Sequence, residues 1–180
     1  VPITITVNSP DQTRLVGQEL AVQLRPGDLV MLSGGLGAGK TTFTQGIGIG
    51  LQVKGRVSSP TFIVARVHPS LVGGADLIHA DAYRIKDLSD LETLDLDSTL
   101  DEAITVVEWG EGKTEQLSAD RLEIEIHREH GGVATNINGV VDLAEMDDGE
   151  RTITIRPLGE RWEGTEWGSV FSAFEEKEEK

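Results

Sequence analysis

Gly34-Gly35-Leu36-Gly37-Ala38-Gly39-Lys40-Thr41-Thr42 fits the pattern G-x-x-x-x-G-K-[ST], with Gly34, Gly39, Lys40 and Thr41 at the fixed positions. Each residue type has a physical reason. Glycines let the backbone take left-handed angles and bring its N–H groups close to phosphate oxygens. Lys40 can carry a point charge to the β- and γ-phosphates, and the Thr41 hydroxyl can ligate Mg²⁺. Working outward, Leu29-Val30-Met31-Leu32 reads as a buried strand before the loop, and Thr42 to Leu51 as a helix after it. A helix starting there aims its positive end at the same anion. Motif and context together predict binding of a nucleoside triphosphate with Mg²⁺.

Composition bounds what such a site can serve. The chain has 180 residues, enough for one domain with a core, and no apolar run long enough to span a membrane. It has no cysteine, which excludes disulfides and thiolate metal sites and agrees with a cytoplasmic setting. No pair among His68, His79, His127 and His130 has helical metal-ligand spacing, so all four read as ordinary surface or strand residues. The net charge is −15, and Lys and Arg form no dense cluster. Such a chain repels a phosphate backbone, which argues against binding nucleic acid on its own.

Upstream of the loop, Ile3 to Val7 alternates as a strand does. Ser9-Pro10-Asp11-Gln12 then starts a helix, with Ser9 as N-cap, Pro10 in the first position and Gln12 closing a capping box. Leu15, Val16, Leu20 and Leu24 give that helix its predicted apolar stripe. Downstream, Gly46-Ile47-Gly48-Ile49-Gly50 either weakens the helix or lets something pack closely. Ser59-Pro60-Thr61 opens a strand from Phe62 to Val67; its hydroxyls either face a γ-phosphate or simply turn the chain. Pro69 to Ala75 reads as a hairpin-like loop.

Two strands end in acids. Leu77-Ile78-His79-Ala80 leads to Asp81, which either does metal or water work at the sheet edge or caps the next turn. Ile104-Thr105-Val106-Val107 leads to Glu108, as in a Walker B strand whose acid helps hold Mg²⁺. Between them, Asp87 to Leu100 reads as two short acidic, leucine-spaced helices or turns. Arg121 to His127, Val140 to Leu143 and Arg151 to Arg156 read as antiparallel strands. From Arg161 the tail places Trp167, Val170, Phe171 and Phe174 at helix spacing, then becomes all charge from Glu175 to Lys180. The expected architecture is α/β: a P-loop NTPase-type three-layer sandwich, with a mixed central sheet and antiparallel strands toward the C-terminus. Residues 1–158 form one domain in this reading, and 159–180 an aromatic, then acidic, partly disordered tail.

Four stretches together carry a resemblance: Gly35 to Thr42, Ser59 to Thr61, His79 to Arg84 and Val107 to Trp109. In order and interval they resemble the bacterial tRNA threonylcarbamoyladenosine biosynthesis ATPases, the TsaE (YjeE) family, over roughly Val7 to Arg128. The resemblance implies a small ATPase of the cytoplasm, working with a threonylcarbamoyl transferase subunit and its paralogue. It would support modification of the adenosine beside the tRNA anticodon, meeting tRNA only through those partners. By motif, Lys40 would contact phosphates, and Thr41 and Glu108 would serve Mg²⁺. Asp81 would serve the metal or a water, making Lys40, Asp81 and Glu108 the catalytic set. Gly35, Leu36, Gly37, Ala38, Gly39, Lys40, Thr41 and Thr42 would hold ATP, with Ser59, Thr61 and Trp109 alongside. Two positions depart from the pattern: Gly35 replaces a frequent acid, and Gly110 a frequent proline. The competing sequence readings are a P-loop kinase for a small molecule, a GTP-driven switch and a scaffold with a relict site. The first lacks an arginine cluster after Trp109, the second lacks an N-K-x-D element, and the third sits poorly with intact Lys40, Thr41, Asp81 and Glu108.

Overall fold

A computed structural model of the protein describes residues 2–35, 37–55, 57, 65–81, 101–108, 118–128 and 150–174. Seven strands form one mixed sheet: β1 (Ile3–Val7), β2 (Leu29–Gly34), β3 (Ala65–His68), β4 (Leu77–Asp81), β5 (Ile104–Glu108), β6 (Arg121–Arg128) and β7 (Arg151–Leu158). Their order is β1-β7-β6-β2-β5-β4-β3. The central strands β6, β2, β5 and β4 run parallel, while β1 and β7 on one side and β3 on the other pair antiparallel. Antiparallel pairing is therefore found at both edges, not only toward the C-terminus. The region 140–143, read from sequence as a strand, lies outside the described residues, as do 61–64 and 87–100.

Helix α1 (Pro10–Ala21) starts at Ser9, whose side chain accepts from Gln12 N at 3.2 Å. Gln12 Oε1 reaches back to Asn8 N at 2.7 Å, one residue earlier than the expected capping box. The buried face is Thr13, Val16, Gly17, Leu20 and Ala21. Leu15 sits about 100° around the helix from Val16 and is 46% exposed, so it does not belong to the stripe read from the sequence.

Helix α2 (Lys40–Leu51) begins two residues earlier than its hydrophobic pattern suggests. Gly39 turns the chain at φ 109°, and its carbonyl takes the first helical bond from Phe43 N at 2.8 Å. The glycines of α2 serve close packing. A Cβ on Gly46 would lie 2.1 Å from Arg14 O, and one on Gly17 of α1 would lie 2.4 Å from Phe43 O. The two helix backbones thus touch, and the pair rests on the sheet through Val16, Leu20, Phe43 and Ile47, all fully buried. Each such side chain contributes about 1.5–3 kcal/mol of burial.

The core divides by strand face. On the helix side, Val30, Leu32, Leu77, Ile104, Val106, Leu122, Ile124, Ile126, Ile153 and Ile155 join α1 and α2. On the other side lies a smaller cluster: Leu29, Met31, Ile78, Ala80, Ala103 and Val107. Both α1 and α2 therefore belong to one layer, and the second cluster contains no helical residue among those described.

The tail returns to the sheet. Arg161 grips Asp28 with two bonds of 3.0 Å, donates to Gln23 O at 2.8 Å and lies 4.0 Å over the Trp162 ring. Trp162 and Phe171 are buried in the main core, and Trp167, at the head of the one-turn helix α3 (Trp167–Val170), stacks on Phe171. Residues 175–180 lie outside the described residues.

Candidate functional site

β2, β5 and β4 are parallel, so their carboxyl ends reach the same edge of the sheet. Asp81 pairs with Glu108 across the β4–β5 ladder, and Glu108 pairs with Leu32, two residues before Gly34. Alternation puts His79 and Asp81 on the face that carries Leu77, and Glu108 on the face that carries Ile104 and Val106, which is the α2 side. The glycine loop and both strand-end acids therefore share one edge and one face.

Within the loop, Gly34 (φ 151°) and Gly37 (φ 73°) as well as Gly39 take positive φ, which a side chain resists. Gly34 is also crowded: a Cβ there would lie 2.5 Å from Ile126 O. The chain then enters α2 with no side-chain cap, so the positive end of the helix and the first-turn residues Lys40, Thr41 and Thr42 open onto the loop. Thr41 and Thr42 are half-buried, Ala38 is buried, and Gly35 and Gly37 are exposed.

Lys40 is 7% exposed, and its Nζ donates to Gly34 O at 2.8 Å and Gly35 O at 3.0 Å. Burial pushes its ammonium below the ordinary lysine value, while the carboxylates of Glu108 and Asp81 act to hold it up.

Glu108 is 4% exposed, and its Oε2 lies 2.8 Å from Nε2 of His79, which is fully buried. With the carboxylate as acceptor, the proton sits on Nε2. His79 Nδ1 then has no partner among the described residues. His79 is thus a strand residue, as one of the two sequence alternatives had it, and its buried ring supports Glu108. The signal was in the strand: His79 stands two residues before Asp81, in phase with it. Arg151 is a second residue that sequence reading passed over. It is 4% exposed and donates from Nε to Ala38 O at 2.8 Å and from Nη2 to Gly37 O at 3.3 Å. Its phase with Ile153 and Ile155 places a cation in register with buried positions. Leu36, Ser59, Thr61 and Trp109 lie outside the described residues.

The model of the family described as "Threonylcarbamoyl adenosine biosynthesis protein TsaE" matches residues 7–136. The chain belongs to the TsaE family. That match holds the loop, α2, β4 and β5, and ends before β7. The chain is 52% identical over 150 residues to the tRNA threonylcarbamoyladenosine biosynthesis protein TsaE of Streptomyces coelicolor, covering 83% of this chain and 93% of that protein. It is 37% identical over 159 residues to the Bacillus subtilis protein of the same name, covering 88% and 87%. Among solved structures, the crystal structure of Bacillus subtilis YdiB superposes with a TM-score of 0.66 at 30% identity, over 91% of this chain and 90% of that one. Among the described residues no helix is long and apolar enough to cross a membrane.

Proposed function

We infer that this protein binds and hydrolyses ATP to support threonylcarbamoyl modification of tRNA adenosine. In this reading it works beside a threonylcarbamoyl transferase and its paralogue, in the cytoplasm, as a P-loop NTPase-type three-layer domain. The observation that carries the inference is the meeting of the glycine loop, holding Lys40, and the strand ends Asp81 and Glu108 at one sheet edge. Family membership supplies the process; this meeting supplies the chemistry.

Lys40, already tethered at the loop by Gly34 and Gly35, is a cation for the β- and γ-phosphates. Loop N–H groups and the start of α2 add donors and dipole. Thr41, Asp81 and Glu108 offer only hard oxygens, the donor chemistry that Mg²⁺ takes. Among the described residues no group of three or more His, Cys, Asp or Glu side chains forms a metal cage. Nucleotide-bound Mg²⁺ takes part of its coordination from phosphate oxygens and water. Bound Mg²⁺ would neutralise charge developing between the β- and γ-phosphates. Asp81 orients the attacking water or helps hold the metal. Glu108 is held in one pose by His79.

A surface of strongly negative net charge leaves tRNA to basic partners. Slow hydrolysis alone, rising when the transferase pair is added, follows from that division of labour. The test is hydrolysis of ATP and GTP by the isolated chain, then with the transferase pair. ATP hydrolysis stimulated by the pair supports the reading. Phosphorylation of a small metabolite, or tight binding of tRNA by the chain alone, contradicts it.

A further inference from the structure

We propose that Arg151 is a positioning residue for the phosphate-binding loop: a strut from β7 that holds Gly37 and Ala38 in the shape that receives phosphate. The proposal rests on the nucleotide-binding reading above. A loop that turns its N–H groups toward an anion turns carbonyls the other way. The Ala38 carbonyl in particular needs a donor, because Ala38 is only 2% exposed. Two cations supply donors from opposite ends. Lys40 Nζ takes Gly34 O and Gly35 O in the first half of the loop. The Arg151 fork takes Ala38 O and Gly37 O in the second half.

The strut also packs. A Cβ on Gly39 would meet Arg151 Cδ and Nε at 3.7 Å, so the guanidinium lies along the turn into α2. Its own base is rigid: Arg151 heads β7, paired with Val7 of β1 and Arg128 of β6. A long-range contact, from a strand more than a hundred residues away, thus fixes a loop that its own glycines leave free. The planar fork suits two neighbouring carbonyls in a way a lysine ammonium does not. Its charge also adds to the positive potential at the start of α2.

The test uses the full chain with Arg151→Met, which keeps bulk without charge, and Arg151→Lys, which keeps charge without the fork. Amide hydrogen exchange across Gly37–Lys40, measured without nucleotide, reads the strut itself. The Kd for Mg-ATP and the kcat at saturating ATP read its consequence. In Arg151→Met, loop exchange should quicken about tenfold or more while β2 and β6 stay protected. Kd should weaken about tenfold to a hundredfold, with kcat within about threefold, because two charge-assisted bonds are lost. Arg151→Lys should fall between, and decides the matter on the same readouts if Arg151→Met does not fold. Unchanged loop exchange, or quickened exchange with unchanged Kd, in a folded variant overturns the strut alone. A wild-type chain that binds no nucleotide overturns the nucleotide-binding reading itself.

Discussion

The two halves of the sheet are built differently. β2, β5 and β4 are buried almost throughout on both faces, whereas β6, β7 and β1 alternate buried and exposed residues. On the helix side both halves carry the main apolar core, with His79, Glu108 and Arg151 as buried polar positions. On the opposite side β2, β4 and β5 continue apolar through Met31, Ile78 and Val107, and β1, β6 and β7 turn to Thr4, Thr6, Glu123, Glu125, Thr154 and Arg156. Strands covered on both faces run as near-continuous apolar segments; a half-solvated sheet alternates. The difference teaches where chemistry can sit. Asp81 and Glu108 cap doubly buried strands, which hold their ends still. The alternating half carries no site acid and contributes a brace, Arg151.

The strand-end acids of the doubly buried half should be the most sensitive positions. Asp81→Asn and Glu108→Gln should each cut partner-stimulated hydrolysis roughly 10²–10³-fold. Stability should stay within about 1 kcal/mol of wild type, since size and hydrogen-bonding capacity are kept. Normal turnover in both variants, measured by phosphate release, would remove these acids from the site.

Next come the two faces. Leu32→Ala, in the doubly buried half, should cost about 2–5 kcal/mol in urea unfolding. Thr154→Val, on the polar face of β7, should change stability by no more than about 0.5 kcal/mol. Equal costs would mean that the polar face is packed as tightly as the core.

The helix pair sharpens the same contrast through its backbone contact. Gly46→Ala would add about 1 kcal/mol of helix propensity but drive a methyl into Arg14 O, 2.1 Å away. Overpacking of that kind costs roughly 1–3 kcal/mol, so the net effect should be loss of stability. A more stable Gly46→Ala variant would show that α1 can move away from α2 without penalty.

The smallest effect belongs to His68, at the end of the β3 edge strand. Burial pushes its imidazole below the ordinary histidine value, outweighing a lift from the Lys54 backbone, and His79 and Arg66 push the same way. As pH falls below the unfolded value of 6.5, the unfolded chain takes the proton first, so stability is lost until the lower folded value is passed. As pH falls below 6.5, wild type should lose more stability than His68→Gln, read by urea unfolding at stepped pH. Parallel pH curves would mean that His68 is hydrated in solution.

Much of this was legible because periodicity and motif are local. The glycine loop, β1, β4, β5, β6 and the Ser9 start of α1 can each be read from a window of a few residues. What was missed depends on distant partners. Leu15 is apolar and sits near the stripe, yet α1 packs on Val16, about 100° around the helix, and leaves Leu15 46% exposed. The glycines of α2 signal close approach, but not that Arg14 of α1 supplies the carbonyl that approaches Gly46. His79 and Arg151 act on residues 29 and 113 positions away, so no local window shows their partners. Both still left a trace, as polar residues in phase with buried ones.

The loop and its lysine are expected to receive a nucleoside triphosphate. Calorimetry of Mg-ATP against wild type and Lys40→Ala tests it most directly. Saturable binding at one site per wild-type chain, lost in a Lys40→Ala protein that remains folded, is the predicted result. Wild-type affinity in Lys40→Ala, or no binding by the wild-type chain, would contradict it.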